Sequence, residues 1–445
     1  MKPNLRTASR IIVVTCVAIY SALFAYVYVM WASPTYHYLG LKSGAESIGP
    51  FLLASLSILG LTWMLPLQIA RYSDFFCWII FLVLLIPSLL IVALQGYNSF
   101  DANVLLVALC VSFVLIYTLP RALSAPAHSA SPRVAKRGFR LGFFLLYAVC
   151  LSAVVIIFRD HMSLAGFDDV YQQRARATEL GAGRWANYAV SWLANALNPY
   201  LLAMGLFDRT KRWMIAVGLA GQVVAYSVFA GKIILVSTAV MLAIAAFGVA
   251  RNRVPPARLA IGAALLMVAV LLLLQFTDYS PTGLALVTLS QVYMRALAIQ
   301  GALVGVYADF FTNQPRTLGS HITGFDAIVA YPYDAPLGII IGKHLIGGAG
   351  FNANANFWAT DGIAGFGIAG VILIGALVGL MLALANKIVS KEILPFAAVA
   401  SLPFIMSLSN VSFFTSLLTG GGLLLCFLIA NGQPRAPSNY NEGPK

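Results

Sequence analysis

Long apolar runs with few charged residues recur from one end of this 445-residue chain to the other. The runs are 17 to 23 residues long, and over the whole chain hydrophobic residues make up 60% and charged residues 10%. An ordinary soluble domain has about 25% charged residues, whereas about 20 apolar residues in a helix cross the hydrocarbon core of a bilayer. We therefore predict an all-α polytopic membrane protein that forms a single integral membrane domain over residues 1–445.

About 12 transmembrane helices are predicted, within a range of about 10 to 13 because the ends of such runs are poorly defined by sequence. The predicted spans are Ile11–Ala32, Phe51–Ile69, Phe75–Gln95, Asn103–Leu119, Leu141–Phe158, Tyr188–Phe207, Met214–Ala230, Ile233–Ala250, Leu259–Phe276, Ile363–Ala385, Leu394–Asn410 and Phe413–Ala430. The first run follows three basic residues and lacks a small-residue cleavage site, which favours a retained helix over a signal peptide.

Basic residues concentrate in alternate connections between these runs. If the N-terminus is inside, the inside segments hold 19 of the 28 Lys and Arg residues. Basic residues near the ends of spans are retained on the cytoplasmic side, so both termini are predicted to be cytoplasmic. The net charge of +13 then follows from topology, and no nucleic-acid partner is expected.

Two outside segments are longer than ordinary connectors, residues 159–187 and residues 277–362. A long insertion in a compact bundle is usually functional. The larger segment contains SQVYMRALAIQGALVGVYADFF, which has an apolar helical period, followed by a stretch rich in Gly, Pro and Tyr. We predict an amphipathic or re-entrant helix and then irregular structure, both lying against the outer leaflet.

Cofactor and metal motifs are missing from the sequence. The five cysteines lie inside apolar runs without paired spacing, which excludes a disulfide framework and a zinc or iron–sulfur site. No GxxxxGK[ST], HExxH or DxD motif is present. We therefore expect no cofactor and no metal ion.

Four basic residues on the outside are candidates for binding an anionic ligand. Arg295 lies in an apolar helical stretch, and Lys232 lies in the tightest connection of the chain; both are costly near a membrane unless they meet a partner or reach the interface. Arg174 and Arg176 precede a span. The alternatives are a snorkelling anchor for Lys232, pairing with nearby carboxylates for the two loop arginines, and a carboxylate such as Asp309 for Arg295.

Polar residues near these cations give candidates for glycan contact and proton transfer. Asn195 and Asn198 share one helix face, where they serve either sugar contact or helix packing. His321 ranks above Asp309 as a general base, because a near-neutral imidazole accepts a proton readily. The remaining candidates for glycan contact are Tyr307, Tyr333 and Asn356.

The order of several motifs resembles one family, the bacterial oligosaccharide repeat-unit polymerases of the Wzy type, which build O-antigen and capsule. The stretches that carry the resemblance are DVYQQRARATELGAGRWANYAVSWLANALNPYLLAMGL, FAGKIILVS, YMRALAIQGALVGVYADFFTNQPRTLG, YPYD and NANANFWATDGIAGFGIAGV. They extend from Asp169 to about Val371, near half of the chain. The resemblance implies a bundle of the glycosyltransferase C kind with a large, partly helical outer loop.

The resemblance also implies an activity. Pyrophosphate would bind at the periplasmic face of a bacterial inner membrane, and its ligands would be Arg174 or Arg176, Lys232 and Arg295. The donor would be a glycan on undecaprenyl pyrophosphate, and a second lipid-linked repeat unit would be the acceptor in an inverting, metal-independent transfer. Membrane lipids and a chain-length regulator protein are the expected partners.

Three other functions remain open at this point. An O-antigen ligase would differ only in its acceptor. A transporter or flippase for the same lipid would need polar residues along a path through the bilayer, and the spans hold few charges. A structural scaffold is the fourth possibility.

We expect residues near Arg137 and Arg253 to face the cytoplasm and residues near Asp169 and Arg316 to face the outside, because of the positive-inside bias. Single cysteines at these positions, labelled with a membrane-impermeant maleimide in intact and opened cells, measure the orientation. Labelling of Arg316→Cys from the cytoplasm alone would contradict it.

Overall fold

The computed structural model of the chain describes residues 3–124, 134–162, 183–229, 231–246, 256–276, 283–322, 325–347, 352–353 and 357–434. These residues form helices and turns, with two isolated β-bridges and no β-strand. Helices suit a bilayer because each satisfies its own backbone hydrogen bonds where water is absent.

We number the helices of the described residues along the chain. They are α1 (Pro3–Val27), α2 (Gly49–Met64), α3 (Tyr72–Gln95), α4 (Ala102–Leu123), α5 (Arg137–Phe158), α6 (183–207), α7 (Trp213–Phe229), α8 (Lys232–Ile244), α9 (Pro256–Gln275), α10 (284–313), α11 (Leu337–Ile346), α12 (Phe357–Phe366), α13 (Ile368–Ile388), α14 (Leu394–Ser407), α15 (Phe413–Leu418) and α16 (Gly422–Asn431). Wider π-helical turns extend α1 through Tyr28–Ala32 and interrupt α3, α6 and α10 at Phe81–Leu85, Leu193–Leu197 and Ser290–Ala298.

Eight helices of the described residues are long and apolar enough to cross a membrane. Seven coincide with predicted spans: Thr7–Thr35, Tyr72–Gln95, Ala102–Leu123, Arg137–His161, Pro256–Gln275, Ile368–Ile388 and Phe413–Asn431. Five predicted spans remain. Four of them form the shorter apolar helices α2, α7, α8 and α14, and one, Tyr188–Phe207, lies within α6. The protein is an all-α polytopic membrane protein, and the count of twelve spans stays a prediction.

Helix α10 is the segment for which the sequence predicted an amphipathic or re-entrant helix against the outer leaflet, and that assignment stays a prediction. Ala285–Asn313 is the eighth of the long apolar helices, and most of its residues are buried. Tyr293 Oη donates a hydrogen bond to the Phe24 carbonyl of α1 at 2.6 Å, and Gly301 lies against the Pro87 carbonyl of α3. Most of the helix is therefore inside the bundle, where Gln300 is buried, while Arg295 of the same helix is exposed.

The bundle has two chemically different ends. Helices α4 and α13 run in the same direction, since Ser112 Oγ donates to the Val371 carbonyl (2.9 Å) and Asn386 Nδ2 donates to Ser124 Oγ (3.2 Å) further along both helices. At the C-terminal end of this pair Arg121 binds Asp74 at 2.5 Å; we call this the Arg121 end. The opposite end, about 30 Å away along the 21 residues of α13, is the His321 end.

We expect Gly301→Ala to lower the free energy of unfolding by about 1–3 kcal/mol, because a Cβ there would lie 2.7 Å from the Pro87 carbonyl oxygen between two interior helices. Thermal unfolding in detergent, followed by intrinsic fluorescence, measures the loss. Gly262→Ala in α9 is the matched control, since its Cβ would meet nothing within 4 Å. Equal stabilities of the two variants would contradict the tight contact.

Candidate functional site

The structure brings His321 together with Asp361, a pairing that the sequence did not predict. His321 Nε2 lies 3.6 Å from Asp361 Oδ1, and only 8% of the histidine side chain and 3% of the aspartate side chain are exposed. A distance of 3.6 Å is longer than a hydrogen bond, and Nε2 has no hydrogen-bond partner among the described residues. A buried nitrogen in this state is a candidate for binding a ligand hydroxyl.

A threonine determines which nitrogen of His321 carries the proton. Thr317 Oγ1 is 2.6 Å from His321 Nδ1 and 3.0 Å from the Ala364 carbonyl oxygen. The hydroxyl has one proton, and the carbonyl can only accept, so the threonine donates to Ala364 and accepts from Nδ1–H. In the neutral imidazole Nε2 then carries the lone pair and can accept a proton.

Two local features hold this pair in place. The turn before His321 is anchored to α12, because the backbone N–H of Thr317 also donates to the Ala364 carbonyl at 2.9 Å. Asp361 Oδ2 accepts a hydrogen bond from the backbone N–H of Phe413 at 2.8 Å, at the start of α15. The carboxylate is therefore held by a different segment of the chain from the one that holds the imidazole.

Asp309 pairs with a different histidine. Its Oδ2 lies 3.6 Å from His344 Nε2 of α11, and its Oδ1 accepts a hydrogen bond from Ser99 Oγ at 2.5 Å. The side chains of His344 and Asp309 are 45% and 28% exposed, so solvent reaches this second pair. The Phe310 ring packs against the imidazole, with 5.1 Å between the two ring centres. The two predicted catalytic residues thus belong to separate acid–histidine pairs.

Arg295 is connected to the His321 site through its backbone. Its side chain is exposed, and its carbonyl accepts a hydrogen bond from Gln300 Nε2 at 2.5 Å. The same amide donates to Asn410 Oδ1 at 3.0 Å, three residues before Phe413, whose N–H binds Asp361. The backbone of Arg295 is thus tied to the segment that positions the carboxylate.

Asn198 lies where the helix-packing alternative places it. It is fully buried, and its Nδ2 donates to Gln222 Oε1 at 3.4 Å. Gln222 in turn donates to Thr238 Oγ1 on α8 at 3.0 Å, so these polar groups join α6, α7 and α8. Asn195 is partly exposed on the same helix. Lys232 begins α8, and its side chain lies outside the described part of the chain.

Two predicted glycan contacts, Tyr307 and Tyr333, precede and follow the His321 turn in the sequence. Tyr307 is buried and donates to the Ala353 carbonyl at 3.2 Å. Tyr333 donates to the Pro315 carbonyl at 2.5 Å, and its ring lies 5.6 Å from that of Tyr331. Burial, with Tyr333 and Asp334 nearby, raises the pKa of Tyr331 to about 12, so its phenol is neutral near pH 7.

Three predicted site residues, Arg174, Arg176 and Asn356, lie outside the described residues. Of the others, the structure connects His321, Arg295 and Tyr333 to the same end of the bundle, while Asn198 lies in a packing contact.

Sequence reasoning missed Asp361, Thr317 and His344 as partners. A signal for Asp361 was present in ATDGIAGFG, where one carboxylate stands among small apolar residues. Such a carboxylate needs a partner inside the protein. Which histidine supplies it depends on how the turn at Thr317 packs on α12, and that packing has no local sequence pattern.

No protein-family model, no curated protein and no solved structure matches this chain.

We expect Asp361→Leu to lower the free energy of unfolding by about 1–3 kcal/mol, because the buried N–H of Phe413 loses its acceptor. Asp309→Leu is the matched control at the more exposed pair, where water replaces the lost partner and the loss is smaller. Thermal unfolding in detergent compares the two, and an equal or larger loss for Asp309→Leu would contradict this account.

Proposed function

We propose that this protein is a glycosyltransferase that polymerises oligosaccharide repeat units linked to undecaprenyl pyrophosphate. The observation that carries the proposal is the buried His321 imidazole, held by Thr317 with Asp361 nearby, at one end of a bundle of long apolar helices. A polymerase of lipid-linked sugars needs a general base at such an end, where the lipid head group lies while the lipid chain remains in the bilayer. The resemblance of the motif order to repeat-unit polymerases supports the same activity.

His321 would act on the acceptor hydroxyl. Its Nε2 takes the hydroxyl proton while the oxygen attacks the anomeric carbon of the donor sugar. A new glycosidic C–O bond forms, the C–O bond to pyrophosphate breaks, and the bond electrons leave with the pyrophosphate lipid. One displacement inverts the anomeric centre. Asp361, 3.6 Å from Nε2, stabilises the imidazolium that forms, because opposite charges attract strongly at short range in a buried site.

Cations would stabilise the departing pyrophosphate, since its negative charge grows as the bond breaks. We assign this role to Arg295 and Lys232, with Arg174 and Arg176 from the preceding outer segment. Arginine binds two oxygens of a phosphate at once, which a lysine cannot do with the same geometry. The proposed glycan contacts are Asn195, Tyr307, Tyr333 and Asn356. Asn198 contributes indirectly, because it holds the helix that carries Asn195.

We assign the two ends of the bundle to opposite sides of the membrane. The Arg121 end faces the cytoplasm and the His321 end faces the periplasm of a bacterial inner membrane, following the positive-inside rule. The fold belongs to the glycosyltransferase C kind of membrane bundle. Membrane lipids surround the protein, and a chain-length regulator protein acts beside it.

We expect the purified protein in detergent to extend synthetic lipid-linked repeat units in excess EDTA, with inversion at the anomeric carbon. His321→Ala should reduce the rate by about 100-fold or more, a typical loss for a general base. Arg295→Ala should abolish polymer, and Arg295→Lys should recover little of it because the bidentate geometry is lost. Chain length on gels and NMR of the product measure these outcomes.

Arg159→Gln is the control, since Arg159 is exposed and pairs only with exposed Asp160 among the described residues; its rate should stay near that of the unchanged protein. Activity that requires a divalent ion, or a trapped glycosyl–protein adduct, would contradict the mechanism. Transfer only to a lipid A core acceptor would identify a ligase instead. Movement of the lipid across vesicles without polymer would identify a transporter.

A further inference from the structure

Arg316 lies in the turn that leads to His321, and its backbone is held on both sides. The preceding carbonyl, of Pro315, accepts the hydrogen bond from Tyr333 Oη at 2.5 Å. The following residue, Thr317, binds the Ala364 carbonyl through its backbone N–H and its hydroxyl. The position of Arg316 is therefore fixed by two different segments of the chain.

A glycine also positions the guanidinium of Arg316. Gly367 separates α12 from α13 with φ +72°, and a Cβ there would lie 2.7 Å from Arg316 Cζ and 2.8 Å from one terminal nitrogen. The guanidinium thus lies directly against the Gly367 backbone, in space that any other residue would fill. A residue other than glycine would also be strained at this φ.

The charge of Arg316 is not neutralised within the described part of the chain. The described ion pairs and hydrogen bonds include no contact of its side chain, which is exposed. Asp361 lies six residues before Gly367, or about 9 Å along the helix axis; it accepts a hydrogen bond from the Phe413 N–H, and His321 is 3.6 Å away. The guanidinium has five N–H donors in a planar fork, and they are available to a ligand.

We propose that Arg316 binds a two-oxygen anionic group of the substrate next to His321. This inference rests on the proposed function, which puts such a substrate at His321. The anionic group is a phosphate of the pyrophosphate lipid or a carboxylate of an acidic sugar in the repeat unit. Both present the oxygen pair that a guanidinium binds through two parallel hydrogen bonds.

The test measures binding to the purified protein by isothermal titration in detergent. The anionic probes are farnesyl pyrophosphate and a trigalacturonate, and their neutral counterparts are farnesol and maltotriose. We expect one anionic probe to bind in preference to its neutral counterpart, which tells the phosphate source from the carboxylate source. Arg316→Gln should weaken that binding by about 10- to 100-fold, the range for losing a charged hydrogen-bond partner, and Arg316→Lys should recover little of it.

Gly367→Ala tests the placement of the guanidinium without removing its charge and should weaken binding of the same probe. Gly347→Ala is the matched control, because its φ of +68° gives similar strain while its Cβ would meet nothing within 4 Å. A probe affinity that is the same in Arg316→Gln as in the unchanged protein would overturn the inference, as would the binding of neither anionic probe.

The polymerisation assay separates this inference from the proposed function. If the unchanged protein makes polymer and Arg316→Gln alters neither rate nor binding, the assignment of Arg316 fails while the function stands. If no polymer forms but anion binding depends on Arg316, the function fails and the anion site stands.

Discussion

Buried polar groups of this bundle depend on one another, because water is absent from the interior and an unpaired polar group there costs several kcal/mol. Gln222 joins three helices by binding Asn198 and Thr238. Asn386 likewise accepts from the backbone N–H of Ser73 and donates to two hydroxyls at the Arg121 end. These contacts fix which helices are neighbours, since apolar surfaces alone pack against many partners and lipid is as apolar as leucine.

The His321 end holds one of several buried polar atoms that have no hydrogen-bond partner among the described residues. That atom is Nε2 of His321, and Arg316, whose side chain is exposed, lies five residues earlier in the turn that leads to it. A buried atom of this kind calls for an explanation, and under the proposed function a bound ligand supplies it. The Arg121 end pairs its buried carboxylate Asp74 with Arg121 and with two backbone N–H groups. It also holds an unpartnered buried atom of the described residues, Arg71 Nη1. The proposed placement of the chemistry therefore rests on the residue types at His321 and not on a difference in pairing between the two ends.

Sequence reasoning succeeded where a single local property decides the structure. Apolar length predicted seven of the eight long apolar helices of the described residues, whereas the ranking of His321 as general base stays a prediction. Sequence reasoning did not include α10 among the predicted spans, because Arg295, Gln300 and Asp309 lower the hydropathy of this largely buried helix. Average hydropathy indicates how well a helix suits contact with lipid. A helix that is surrounded by other helices carries polar residues at low cost when those residues find partners.

By itself the sequence determined that the chain is a helical membrane protein, with its basic residues concentrated in alternate connections, because these properties follow from composition along short stretches. Only the tertiary structure decided that His321 meets Asp361, forty positions further along, and that Asp309 meets His344 instead. Each pairing depends on how a turn or short helix packs on a distant helix, as Thr317 does on Ala364. Residue types specify what a site can do, and long-range packing specifies which residues share it.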